Sequence, residues 1–137
     1  MARGAASGSE TDLVGILEEA GLPSVYYNVT IVDEHGQYVA TPDAWLDDVG
    51  LALEVDSVEH HAGPDGFEQT LRRNRRYTEV GVLMLPLLPT DLGRHPSRVL
   101  QEILGARRAA AERPRPRVTM IGDARPAAGR EGWRWGA

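Results

Sequence analysis

The chain has 137 residues, no cysteine and a formal net charge of −5. That length suits one domain with short tails, and the absence of cysteine excludes disulfides and thiolate metal sites. No apolar run approaches the roughly 20 residues of a membrane span, and the first residues lack the apolar core of a signal peptide, so the expectation is a cytoplasmic protein with no membrane partner.

The charge is unevenly spread. Of the 20 acidic residues, 14 lie in residues 1–71 beside a single arginine, Arg3, while 14 of the 15 basic residues lie in residues 72–137. Two arrangements fit this asymmetry. Separate acidic and basic faces would let arginines meet nucleic-acid phosphates while a metal sits among the acids. Alternatively, the two halves neutralise each other in the fold. Every basic residue other than histidine is arginine, so no mechanism that needs a lysine can run within this chain.

In chain order, residues 1–8 are small and polar and read as a disordered lead-in. Ser9 is a candidate N-cap with Asp12 at the capping-box position. Leu13, Ile16, Leu17 and Ala20 follow at helical spacing, and Gly21 with Pro23 ends that helix. Val25 to Val32 is rich in β-branched and aromatic residues and predicts a strand. Asp33 to Gly36 makes a turn, a second strand runs from about Gln37 to Leu46, and Asp47 to Gly50 turns into a third, Leu51 to Ser57. Trp45 is expected to pack in the core, and Asp47 and Asp48 to be turn residues.

After a loop over His60 to Gly66, a helix is predicted from about Pro64 to Glu79, with Phe67, Leu71, Asn74 and Thr78 along one side. Val80 to Leu88 reads as a buried strand and Pro89 to Arg94 as a loop. Pro96 opens a last helix to about Ala111, burying Val99, Leu100, Ile103 and Leu104. From Glu112 onward the Pro-, Arg- and Gly-rich chain is expected to be mostly disordered, with Val118 to Ile121 a candidate edge strand. The order is helix, three strands, helix, strand, helix. It predicts an α/β domain over residues 9–111, with a four-stranded mixed sheet flanked by helices and a further C-terminal helix.

Residues 42–61 carry the chemistry. If Leu51 to Asp56 is a strand, Leu51, Leu53 and Val55 point one way and Ala52, Glu54 and Asp56 the other. Two carboxylates then stand together at the end of a buried strand, where ionisation is costly unless donors or a cation compensate. Hard oxygen ligands suit magnesium or manganese.

The element order, with Pro42-Asp43 preceding Glu54-Val55-Asp56, resembles the restriction-endonuclease-like PD-(D/E)XK fold and its αβββαβ core. More narrowly, the chain is similar to a family of uncharacterised actinobacterial proteins related to the very-short-patch mismatch repair endonuclease. The residues that carry this likeness are Glu10 and Ala20-Gly21-Leu22-Pro23, then Thr41-Pro42-Asp43-Ala44-Trp45, Glu54-Val55-Asp56-Ser57 with His61, Arg72-Arg73, and Gly81-Val82-Leu83. The resemblance covers about residues 9–106.

It implies that Asp43 is the central metal ligand and that Glu54 or Asp56 is the second, with Glu10 orienting metal or water. His61 would act as general acid or base or contact phosphate. Arg72 and Arg73, with Arg76 on the same helix, would bind DNA phosphates. The wider fold usually has lysine where this chain has Asp56; relatives of the repair endonuclease also lack it and use a nearby histidine.

The resulting expectation is a domain that hydrolyses DNA phosphodiester bonds with magnesium or manganese, in repair or defence. The alternative is a catalytically inactive nuclease-fold domain with a DNA-binding or antitoxin-like regulatory role. A third is a structural α/β domain whose acids bind metal incidentally. Many relatives carry this domain behind an N-terminal DNA-binding region. This chain starts at the first helix of the fold, so two expectations stand: it is a fragment of a longer protein, or it relies on a separate DNA-binding protein or subunit as partner.

Overall fold

The structure is a computed structural model, and it describes residues 8–56 and 63–122. Helix α1 (Gly8–Ala20) starts one residue before the expected cap and buries Leu13 and Leu17, which are one turn apart. Gly21 ends it in the left-handed region, at φ +67°, and donates its amide to the Leu17 and Glu18 carbonyls.

The first predicted strand is two in the structure, β1 (Val25–Tyr27) and β2 (Thr30–Asp33). The break falls at Asn28, whose φ of 58° is tolerated by asparagine but not by a continuous strand. The second predicted strand is likewise β3 (Tyr38–Ala40) and β4 (Ala44–Leu46), separated around Pro42, which has no amide to give to a ladder. Between β2 and β3 the Asp33 carboxylate accepts the amides of His35 and Gln37, each at 2.8 Å, and so builds the expected turn.

The remaining elements are β5 (Leu51–Val55), α2 (Pro64–Val80), β6 (Leu83–Leu87), α3 (Pro89–Arg94), α4 (Pro96–Ala111) and β7 (Val118–Ile121). Helix α3 corrects the loop expected over the same residues: Pro89 suits a first helical turn, and the turn is held by burial of Leu92 against the core. The disorder expected from Glu112 is also corrected as far as Gly122, because β7 pairs antiparallel with β2 along four residues. Residues 1–7 of the lead-in and 123–137 of the tail lie outside the described residues.

These elements form a mixed α/β fold. A four-stranded sheet has the order β1-β4-β5-β6, antiparallel at the first two pairings and parallel between β5 and β6. Helix α2 supplies the crossover that a parallel pair requires. A second sheet, β3-β2-β7, is antiparallel. The two faces of the main sheet have different partners. Leu51 and Leu53 pack with Leu13, Leu17, Leu92 and Ile103 of the helices on one face. Ala52 and Trp45 turn the other way and pack with Tyr77 of α2 and with Val39 and Val118 of the second sheet. Among the described residues no helix is long and apolar enough to cross a membrane.

Trp45 is fully buried, as expected of a core residue, and its indole N–H donates to Asp47 Oδ1 at 2.8 Å. Asp47 is more than a turn residue. It also receives Arg115, whose guanidinium reaches its carboxylate at 2.9 Å and its carbonyl at 2.8 Å, and a further N–H of Arg115 donates to the Val118 carbonyl at 3.1 Å. The chain leading into β7 is thereby tied to the β4–β5 turn.

Leu53 is completely buried between β4 and β6. Leu53→Ala should cost about 2–5 kcal/mol in a urea denaturation, the range for removing a fully enclosed leucine side chain. A loss under about 1 kcal/mol would mean that this face of the sheet is not the core it forms here.

Candidate active site

The site is built where β4 and β5 meet α2. Ala44 pairs with Leu53 at the end of the β4–β5 ladder; Asp43 sits at a bend just before β4, and Glu54 follows Leu53 on β5, on the face occupied by Ala52. The β4 ladder stops at Ala44. Beyond it, Asp43 Oδ2 accepts the Val55 amide at 2.7 Å and takes over a donor that the strand no longer satisfies. The next amide, from Asp56, turns the other way and donates to the Leu87 carbonyl of β6 at 2.8 Å.

Glu54 is the charged residue at the centre, 5% exposed in an otherwise apolar strand. The Tyr77 hydroxyl donates to its Oε2 at 2.6 Å, and Arg73 Nη1 stands 3.3 Å from its Oε1. Arg73 and Tyr77 are one turn apart on α2 and therefore reach the same carboxylate. Burial pushes the Glu54 carboxyl up to about 7, and the neighbouring Asp43 and Asp56 charges push the same way. The Tyr77 hydrogen bond and the Arg73 charge oppose that rise without cancelling it. Tyr77 is itself held well above the usual phenol range, first by burial and then by the Glu54 charge and hydrogen bond.

This geometry reverses the expected face of α2. Phe67 is 62% exposed and Leu71 40%, and Thr78 is exposed too. The inward stripe is Thr70, Arg73 and Tyr77. The physical reason is the buried carboxylate on β5: a polar stripe satisfies Glu54, which an apolar one would leave without donors.

Beside Glu54 lies a cavity of about 250 Å³ between α2 and β3. Tyr38 and Thr41 line one wall, and Gln69, Thr70, Arg73 and Arg76 line the other. Arg76 is anchored by its Nε donating to the Val39 carbonyl at 2.7 Å, and its guanidinium lies 5.3 Å from the centre of the Tyr38 ring. Tyr38 and Thr41 are joined through their hydroxyls at 3.2 Å.

The expected site residues divide clearly. Asp43 and Asp56 are brought close enough to Glu54 for their charges to act on it, and Arg73 joins them. Arg76 lines the same cavity. Arg72 points to solvent and pairs with Glu68 one turn earlier. Glu10 stands on α1, whose buried residues pack on the opposite face of the sheet from Glu54, with α3 and α4. His61, like His60, lies outside the described residues. Among the described residues no group of three His, Asp or Glu side chains is arranged to hold a metal ion, so the four carboxylates expected as ligands do not form one cage. Tyr77, Tyr38, Thr41, Gln69 and Thr70 were not anticipated. A buried glutamate requires donors, and a tyrosine four residues after an arginine was the available signal for Tyr77.

The paired halves of the charge pattern also meet. Arg73 pairs with Glu54, Arg107 with Asp48, Arg115 with Asp47 and Arg117 with Glu34, so much of the asymmetry is neutralised within the fold. Arg76 has no carboxylate partner among the described residues.

Because Glu54 rises from its ordinary 4.5 to about 7 on folding, the folded chain holds a proton between those values that the unfolded chain has released. Its contribution to stability is full below about 4.5 and is lost as pH rises through about 7. Denaturation across that window should show a decline that Glu54→Gln flattens. Parallel pH profiles for parent and variant would contradict the assignment.

Two curated proteins of Mycobacterium tuberculosis, "Uncharacterized protein MT2308" and "Uncharacterized protein Rv2248", from different strains, are each 32% identical to this chain over 95 residues. The match covers 69% of this chain and 34% of each relative, so the chain spans about a third of their length. No family profile matches the chain. No solved structure matches it.

Proposed function

We propose that this chain is a metal-dependent endonuclease-like domain that hydrolyses DNA phosphodiester bonds. The observation that carries the proposal is that Asp43, bonded just ahead of β4 to the Val55 amide of β5, lies near enough to Glu54 for its charge to act on it, with Arg73 of α2 beside Glu54. The element order and these residues also fit the PD-(D/E)XK likeness in the sequence. Magnesium is commonly held by one or two carboxylates, completed by water and substrate phosphate. Asp43 and Glu54 suit that role, with Asp56 close by; burial chiefly raises Glu54 and the Asp43 and Asp56 charges add to it, and a divalent cation would favour the ionised form against both. Such an ion would activate water and stabilise charge on the phosphate.

The chain's own residues would do the rest. Arg73 brings a permanent cation to the carboxylates in a protein without lysine and can hand one of its N–H groups to a phosphate oxygen. Tyr77 fixes the Glu54 rotamer from below. Arg76 adds a second guanidinium on the cavity wall. In this reading DNA is the partner, the location is cytoplasmic and repair or defence is the setting.

A second proposal is a catalytically inactive nuclease-fold domain that binds DNA in a regulatory role. It is favoured by one observation: both carboxylate oxygens of Glu54 already have protein partners, Tyr77 and Arg73.

Thermal melting and a cleavage assay separate the two. Manganese or magnesium should stabilise the protein, by about 2.7 kcal/mol at a hundredfold excess over the dissociation constant, and Asp43→Asn should weaken that response. With manganese, DNA should be cut slowly, and Asp43→Asn should abolish cutting, since loss of the ligand removes water activation and charge stabilisation together. Metal binding without cleavage of any DNA would select the regulatory alternative. An unchanged metal response in Asp43→Asn would exclude the site altogether.

A further inference from the structure

We propose that the cavity between α2 and β3 is a subsite for a single unpaired nucleotide, which enters with its phosphate between Arg73 and Arg76. The inference rests on the nuclease-fold reading and adds the substrate class that this site accepts: a single strand, or a duplex with an extruded nucleotide, in preference to a continuous duplex.

Charge is the first ground. Two guanidinium groups line the cavity against one carboxylate, Glu54. Arg73 is committed to Glu54, but Arg76 has only the Val39 carbonyl and the Tyr38 ring as partners among the described residues. A half-buried arginine that lines the cavity and is held in place by its Nε is suited to an anion. The neighbouring groups match a phosphate ester too. Thr41 and Tyr38 offer hydroxyls on the sheet side, and Gln69 offers an amide on the helix side.

Size is the second ground. About 250 Å³ lies just below the usual range of small-molecule pockets. The cavity's size is on the scale of one nucleotide, not of a base pair, between residues of α2 on one side and Tyr38 and Thr41 on the other. The Tyr38 side chain, 53% exposed, presents an aromatic surface at the mouth on which an unpaired base can stack, as bases do on single-strand binding proteins. Glu54 forms part of the same lining, so a nucleotide seated here places its phosphate linkage next to the proposed reacting position.

Fluorescence anisotropy with the full chain in chelator, so that no cleavage occurs, tests the subsite. A short single strand should bind about tenfold more tightly than the matching blunt duplex, and one unpaired nucleotide in that duplex should restore the affinity. Deoxythymidine monophosphate should displace the strand at lower concentration than inorganic phosphate, and thymidine should not displace it. Arg76→Ala should weaken single-strand binding roughly ten- to hundredfold, the loss expected for a charge-assisted contact. Since that variant also frees the Val39 carbonyl, Gln69→Leu and Thr41→Val serve as second variants, each expected to weaken binding several-fold with unchanged thermal melting.

Equal affinity for single strand and duplex, equal competition by phosphate and the nucleotide, or unchanged binding in all three variants overturns the subsite. Cleavage of DNA without any preference for unpaired nucleotides overturns the subsite and leaves the nuclease proposal standing. Nucleotide-dependent binding without cleavage in any metal supports the subsite and removes the catalytic proposal.

Discussion

Glu54 closes a run of fully buried residues on β5, and its carboxylate is met by Arg73 and Tyr77 from the helix that crosses over to β6. Much else follows from that contact. A carboxylate deprived of water needs donors, and the crossover helix is the nearby element able to bring two to one point. Removing either partner would leave one oxygen of the buried carboxylate without its donor, which costs more than the contact itself contributes. The contact therefore fixes which side of α2 faces the sheet and positions the cavity that α2 shares with β3.

The orientation of α2 has a price in exposed apolar surface. Phe67 and Leu71 look out to solvent, while an arginine and a threonine look in. Folded around a purely apolar strand, the same helix would be expected to bury its phenylalanine and leucine. A departure of this kind from the apolar-inward rule is what functional sites tend to show, since the local choice conflicts with packing alone.

The acidic and basic halves of the chain are distributed by the same logic. The acidic half supplies α1 and strands β1 to β5, and the basic half supplies most of α2, the later helices and β7. Ion pairs then join the halves, most consequentially Asp47 with Arg115, which also takes the Asp47 carbonyl and lies beside the buried Trp45 indole. Exposed pairs of this kind contribute little each to stability. Here they set register, holding the approach to β7 against the β4–β5 turn so that β7 can extend the second sheet.

Helical spacing and the punctuation of Gly21, Pro64 and Pro96 were enough to place α1, α2 and α4 within a residue or so, and a β-branched run, apolar runs and the turns between them located the segments that hold the four strands of the main sheet. Period-two alternation also identified Glu54 as a carboxylate on the face opposite Leu51 and Leu53. Those features are local, and local rules determine them. The breaks at Asn28 and Pro42 depend on how the long strands must bend to join two sheets, which no single segment states. The partnership of Glu54 with Arg73 and Tyr77 and the solvent-facing pairing of Arg72 with Glu68 were decided only by the tertiary structure. The physical reason is that a helix presents every residue type to some direction, and only the sheet it packs on, with one buried charge to satisfy, selects the direction that turns inward.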